Sequence, residues 1–382
     1  MALKASSRGL ISPFIVMDVM RAANERAASG KDVLHLEVGQ PGTPAPAAVL
    51  DRAKSALDED LIGYTDALGI PALRKLIAEQ YKIRYGADVD PAQVIITTGS
   101  SGGFLLSFLA AFDAGDRVAL AAPGYPAYRN ILTALGIEAV TVEVGPETHF
   151  QPTPDVLEKA GRAVDGLIVA SPSNPTGSMI MEPEMRQLAD WCRDNGVRLI
   201  SDEIYHGITF GPDPVTALAF DPDAIVVNSF SKYYSMTGWR LGWMVVPGPL
   251  RRSVECLTQN LFISPPTLSQ IAATAVFDCR DELDRYVGQY AENRELLLRE
   301  LPRAGFRDFA PADGAFYLYA DVSHLTNDSD AFCRKMLAET GVAATPGIDF
   351  DPGRGHRHLR FSFAGANDVM AGAAERLIGW LA

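Results

Sequence analysis

The sequence predicts an α/β fold, with a large domain built on a mostly parallel sheet flanked by helices and a smaller α/β domain assembled from both chain ends. Short β-branched apolar runs alternate with helix-period segments, and Gly and Pro punctuate the joints. The chain has 382 residues, more than one domain of ordinary size needs. With 47% hydrophobic and 21% charged residues it can bury a substantial core and is not a disordered polymer.

The elements follow in order. Pro71 opens a helix with Leu73, Leu76, Ile77 and Tyr81 at one-face spacing, and Gly86 stands where it stops. Val94 to Ile96 has the length of a buried strand. A Gly/Ser-rich turn, Thr97 to Gly103, then leads into Phe104 to Phe112, apolar on nearly all sides and therefore a buried helix. Further strands are expected at Val118 to Ala121, Leu167 to Ala170, Val197 to Ile200 and Ile225 to Val227. Pro183 opens a helix whose inner face is Met185, Leu188, Ala189 and Cys192, and Gly196 ends it. From Asp281 to Leu301 a long charged helix offers Leu283, Tyr286, Tyr290 and Leu297 to the core. The expected division is a large domain over residues 46–285 and a small domain over 1–45 and 286–382.

The formal net charge of −13 argues against nucleic acid or an anionic membrane as the main partner, since both need a basic surface. Cys192, Cys256, Cys279 and Cys333 are widely spaced, with no Cys-His cluster at ligand spacing, so reduced thiols and no metal site are expected. The segment Met1 to Arg8 lacks the apolar core of a signal peptide, and the expected location is the cytoplasm. Val94 to Phe112 is uncharged for nearly a membrane span, but its Gly and Ser residues make it a strand, turn and helix instead.

Sheets of this kind bind ligands beyond the carboxyl ends of their strands, and those ends carry unusual polar residues. Ser100, Ser101 and Gly102 lie where a turn opens onto a helix, a place suited to a phosphate. Ser171-Pro172-Ser173-Asn174-Pro175-Thr176-Gly177 fixes the direction of Asn174, with one or both X-Pro bonds expected in the cis form. Asp202-Glu203-Ile204-Tyr205 places an acid where an apolar strand emerges. Ser229-Phe230-Ser231-Lys232 puts an amine between two serines and a following Gly238-Trp239-Arg240-Leu241-Gly242. Together they provide an anion cradle, an acid, an amide and phenol pair, and an amine. Pyridoxal 5'-phosphate needs that set, having a phosphate, a ring nitrogen to be kept protonated, a phenolic oxygen and an aldehyde.

Through SPSNPTG, DEIY, SFSK and GWRLG, the chain resembles the fold type I pyridoxal-phosphate enzymes, specifically the class I/II aminotransferases related to aspartate aminotransferase. The resemblance runs from Gly39-Gln40-Pro41 to Leu359-Arg360-Phe361-Ser362. It implies that Lys232 condenses with the cofactor's aldehyde, that Asp202 pairs with the pyridinium nitrogen, and that Asn174 and Tyr205 bond the phenolic oxygen. It also implies that Ser100, Ser101, Gly102, Ser229, Ser231 and Arg240 hold the phosphate. Tyr125 would stack on the cofactor, and Tyr64 would reach the phosphate of a neighbouring subunit in a homodimer. Arg360 would hold the substrate α-carboxylate, which Gly39 and Asn174 also approach.

The activity implied is transfer of an amino group from an L-α-amino acid to a 2-oxo acid, with 2-oxoglutarate expected as acceptor. Some bacterial aspartate aminotransferases of this type have a lysine at the Ser101 position to recognise a distal carboxylate. Serine here leaves neutral and aromatic donors open beside aspartate. Ile11, Pro13 and Phe14 are candidates for an apolar lid or for amino-terminal packing, and the basic run Gly353 to His358 for a solvated loop or for a cation that meets a second carboxylate. The same cofactor residues also suit a carbon-sulfur lyase, a decarboxylase or a cyclopropane-forming synthase. A non-catalytic regulator fused to a DNA-binding domain fits less well, because the chain is acidic and the stretch ahead of the matching segment is short.

Overall fold

Residues with apolar side chains on both faces of an extended run need cover on both sides, and the chain satisfies that need with one central sheet. The computed structural model describes residues 3–161 and 163–382, so residues 1 and 2 of the expected amino-terminal piece lie outside the described residues. The central sheet contains β1 (Val94–Thr97), β2 (Arg117–Ala122), β3 (Glu138–Glu143), β4 (Gly166–Ala170), β5 (Arg198–Asp202), β6 (Ile225–Ser229) and β7 (Gly242–Val245). Their spatial order is β1-β7-β6-β5-β4-β2-β3. Pairs β2/β3, β2/β4, β4/β5 and β5/β6 are parallel, whereas β7 runs antiparallel to both its neighbours. The carboxyl ends of every strand except β7 therefore share one edge.

Each strand read from the sequence is present, lengthened by one or two residues, except that the one read from Val197 starts at Arg198 and runs on to Asp202. Absent from that reading are β3, an edge strand that buries only alternate residues, and β7, a short strand that emerges directly from the Gly238 to Gly242 motif. The first shows the alternation of a half-buried edge strand rather than a continuous apolar run, and the second is an apolar run, Trp243 to Val246, that follows the Gly238 to Gly242 motif without a break.

Helix signals were strongest where a cap was visible. Pro71–Tyr85 ends at Gly86, and Glu182–Asn195 ends at Gly196, both glycines being left-handed. The helix expected over Phe104 to Phe112 spans Gly99–Ala111 instead. Gly99 has φ 73, so the chain reverses there and Ser100 and Ser101 fall in the first helical turn rather than ahead of it.

The carboxyl-terminal part holds an antiparallel sheet of β8 (Arg307–Phe309), β9 (Tyr317–Asp321), β10 (Thr345–Pro346) and β11 (His358–Ser362), in the order β10-β11-β9-β8. The amino-terminal segment joins it, since Leu34–His35 pairs in parallel with Val342–Ala343. Both oxygens of the buried Asp349 accept from the backbone of the helix Ile15–Ala28, at Ile15 N and Val16 N, each at 3.1 Å. That cap satisfies two orphan N–H groups and fixes where the helix starts. We propose the division 46–285 against 1–45 with 286–382 as two domains. Its second boundary lies within the helix Arg280–Glu300, which buries Leu283, Tyr290, Asn293 and Leu297 and leaves Tyr286 half-buried.

Candidate active site

The shared edge of the central sheet forms the floor of a cavity. Asp202 is the last residue of β5, level with Ala170 on β4 and Val227 on β6. Strand alternation turns neighbouring acids apart. Asp202 faces the cavity, while the Glu203 Oε1 is fully engaged by Ser201 Oγ (3.2 Å), Thr216 Oγ1 (3.0 Å) and Ala217 N (2.9 Å). Burial raises Glu203 to about 8, so it is a neutral structural acid at neutral pH.

Asp202 is 4% exposed and accepts from Ile204 N at 3.0 Å and from the Tyr128 hydroxyl. Burial pushes its carboxyl up to about 6, against the pull of those two hydrogen bonds and the Lys232 charge. A buried carboxylate at that edge is poised for a cationic partner. Tyr128 lies in the first turn of the helix Pro126–Leu135, packed edge to face on Tyr125 with centroids 5.2 Å apart. Sequence reading missed it, although its spacing of three from Tyr125 puts both rings on one helix face.

Lys232 lines the same cavity, just beyond β6, and its Nζ donates to the Gly39 carbonyl at 2.5 Å. Burial and the Arg360 charge pull its ammonium down to about 8, with Asp202 opposing and Arg240 adding to the effect. Such an amine is largely available as a nucleophile in mildly alkaline solution.

Ser100, Ser101, Ser231 and Arg240 form one end of the cavity. The first-turn N–H groups of Gly99–Ala111 have no intrahelical acceptor, and the helix dipole adds positive potential there. Gly99 has a left-handed φ that favours glycine, and the Arg240 guanidinium lies directly over it, 2.6 Å from where a Cβ would stand. Gly102 and Ser229 stand back from the wall. Gly102 packs against Thr98, and the Ser229 hydroxyl, which donates to Leu241 O at 3.1 Å, lies 2.9 Å from Ser231 Oγ.

Arg360 lines the same cavity and is 2% exposed. Its Nη1 donates to Asn174 Oδ1 at 2.9 Å and its Nη2 to Thr345 Oγ1 at 3.2 Å and to Glu37 O. Its Nε has no partner, an orphaned buried donor that calls for an anionic ligand. The loop carrying Asn174 has both X-Pro bonds, Ser171-Pro172 and Asn174-Pro175, in the cis form. Tyr125 and Tyr205 also line the cavity, and the Tyr205 hydroxyl meets that of Tyr317 at 2.6 Å. Tyr317 was not found by sequence reading. Its signal was the alternation in Phe316-Tyr317-Leu318-Tyr319, which sets both tyrosines on the face of Arg360.

Phe14 packs edge to face on Tyr125 at 5.6 Å, and Val16, Met17 and Val38 complete an apolar wall. Of the lid residues expected, only Phe14 reaches the cavity, because Ile11 and Pro13 are exposed on the approach to the helix. The basic run 353–358 contributes nothing to the wall. Arg354 is turned onto Asp351 Oδ2 at 2.9 Å and the Ala122 and Val144 carbonyls at 2.6 and 3.1 Å, tying the carboxyl-terminal part to the central sheet. Tyr64 is 83% exposed and outside the cavity, on a strip packed against Ser264 to Thr267.

A family described as aminotransferase class I and II matches residues 31–377. The chain is 53% identical over 382 residues to a valine–pyruvate aminotransferase of Mycobacterium tuberculosis, covering 99% of this chain and 98% of that one. It is 35% identical to a (5-formylfuran-3-yl)methyl phosphate transaminase of Methanocaldococcus jannaschii, covering 95% of each. The crystal structure of an aminotransferase from Mycobacterium tuberculosis, 53% identical, matches with a TM-score of 0.97 over 100% of this chain and 99% of that one.

Proposed function

The chain belongs to the class I and II aminotransferases, and from that premise we propose that it moves the amino group of a neutral, branched aliphatic L-amino acid onto pyruvate. It is a pyridoxal-phosphate enzyme. The donor set fits that group, with hydroxyls and a guanidinium at a helix start, a buried carboxylate, a phenol and amide, and an amine of lowered basicity. When bound, the cofactor supplies a carbonyl that carries the amino group and a protonated ring that accepts electrons from the substrate Cα.

In this reading Ser100, Ser101, Ser231 and Arg240 bind the phosphate, with Gly102 and Ser229 shaping the turn behind them. Asp202, held by Tyr128, keeps the ring nitrogen protonated. Tyr205 and Asn174 bond the phenolic oxygen, and Tyr125 stacks on the ring. Arg360 binds the α-carboxylate in the bidentate manner that lysine cannot supply, close to the Gly39 backbone. Lys232 Nζ would hold the cofactor through its carbonyl carbon and, when free, would be the base placed to take the proton from the substrate Cα. Phe14, Val16 and Met17 exclude water from that transfer. Because the amine attacks only when unprotonated, the rate at which apoenzyme takes up pyridoxal phosphate rises with pH and levels off above about 8. A stopped-flow rate independent of pH between roughly 6 and 9 contradicts this.

The observation that carries the substrate reading is the pairing of an apolar wall with only three cations among the described residues, Lys232, Arg240 and Arg360, lining the cavity. Each has its own role, so a distal carboxylate on aspartate or 2-oxoglutarate meets no positive charge of this chain. The 53% identical valine–pyruvate aminotransferase supports the same choice of both substrates, and for the acceptor we propose pyruvate in place of the expected 2-oxoglutarate. Assays of valine, leucine, tyrosine and aspartate against pyruvate and 2-oxoglutarate test it. Valine with pyruvate is expected to exceed aspartate with 2-oxoglutarate about tenfold or more in kcat/KM. The reverse order rejects the proposal.

The enzyme is further read as a cytoplasmic homodimer. All four cysteines are free thiols, and among the described residues no helix is long and apolar enough to cross a membrane. Tyr64, Leu61 and Ile62 are exposed, and Ile62 and Tyr64 lie beside Ser264 to Thr267, a surface suited to a second copy whose cofactor phosphate Tyr64 would reach.

A further inference from the structure

Tyr317 has no role in the scheme above, yet it touches three parts of it. It is 1% exposed and opens β9 on the face where Tyr319 opposes Arg360. The Arg360 guanidinium carbon lies 4.3 Å from the centre of its ring and 4.7 Å from that of Phe350. Its hydroxyl is 2.6 Å from the Tyr205 hydroxyl. That hydroxyl also sits against the Gly39 backbone, where a Cβ would come within 1.8 Å of it.

Tyr205 has one hydroxyl proton. If it is given to the cofactor's phenolic oxygen, the Tyr205 oxygen is left to accept, and Tyr317 is the hydroxyl in reach. A chain of two phenols polarises along its length, each donor strengthening the next. Burial holds the Tyr317 phenol above its ordinary range, while the adjacent Arg360 charge pulls it down and so improves it as a donor.

We propose that Tyr317 is a positioning residue with two separable parts: its ring is the platform that orients Arg360 toward the substrate carboxylate, and its hydroxyl donates to Tyr205, committing the Tyr205 proton to the cofactor. The proposal rests on the roles given above to Lys232, Tyr205 and Arg360. Phe at this position keeps the ring and loses the proton. Leu or Met loses both.

The test is a pH titration of the absorbance of bound cofactor in holoenzyme, paired with binding of isovalerate, an unreactive carboxylate. Tyr317→Phe is expected to raise the spectral pKa by about 0.5 to 1 unit, the worth of one hydrogen bond, with isovalerate affinity within about twofold of wild type. Tyr317→Leu, or Tyr317→Met if the leucine variant does not fold, is expected to weaken isovalerate roughly tenfold as well. In a Tyr205→Phe background the spectral shift from Tyr317→Phe disappears, because the effect passes through that hydroxyl. An unshifted Tyr317→Phe, or the same shift with and without Tyr205, overturns the hydroxyl's part. Full isovalerate affinity in the leucine or methionine variant overturns the ring's part. A wild-type protein that binds no cofactor at Lys232 removes the underlying reading instead, and this is seen before any variant is made.

Discussion

Lys232→Ala is expected to lose about 10⁴-fold in turnover, since no other group is placed to move the Cα proton. Lys232 is the amine among the cavity-lining side chains, and its contact with the Gly39 carbonyl puts it beside the carboxylate end of the site. Its lowered basicity has a definite physical source. Burial and two nearby guanidinium groups disfavour the ammonium, and Asp202 alone opposes them. The Lys232 amine hydrogen-bonds to the Gly39 carbonyl rather than to the side chains of Asp202, Tyr205 or Arg360, so the variant should still bind cofactor without covalent attachment. Added methylamine should restore part of the rate, because a small free amine fits the space left. Turnover within tenfold of wild type without added amine rejects the assignment.

The second large effect is expected at Asp202. Asp202→Asn preserves shape and the Ile204 N–H bond but replaces a carboxylate with an amide that cannot hold the ring nitrogen protonated. Loss of that preorganised electrostatic partner is expected to lower kcat by about 10² to 10³-fold while cofactor remains bound and KM changes little. Tyr128 sharpens the expectation, because its hydroxyl already fixes the orientation of the side chain. Equal kcat in Asp202→Asn and wild type contradicts the role given to this carboxylate.

The elements legible in the sequence were those whose cause is local. Strands buried on both faces announce themselves as apolar runs, and helices ending in a left-handed glycine announce their stop, as Gly86 and Gly196 do. The edge strand β3 carries only a short polar-apolar alternation, and the apolar run of β7, Trp243 to Val246, sits directly against the Arg240 motif, so both are recognised as strands only through their pairing with neighbours. The helix after β1 begins five residues earlier than its apolar run, because Gly99 turns the chain before the phenylalanines start.

The same rule divides the site. Asp202, Asn174, Tyr205, Lys232 and Arg240 follow strand ends, and a strand end is readable from one segment of chain. Tyr128 and Tyr317 acquire their partners only through tertiary packing, across 74 and 112 residues. The apolar wall shows the limit from the other side. Phe14 was readable as an apolar residue near the amino terminus, but that Val16 and Met17 share its task depends on the Asp349 cap, more than 300 residues away. Arg354 was misread for the same reason, since nothing near it in sequence reveals the carbonyls it holds.

The central claim is that the cofactor is bound covalently at one amine on the edge of the central sheet. Borohydride reduction of cofactor-saturated enzyme, followed by peptide mapping, tests it most directly. A single pyridoxyl-modified peptide carrying its adduct on Lys232 is the predicted result. An adduct confined to another lysine, or no adduct on fully loaded enzyme, contradicts the account.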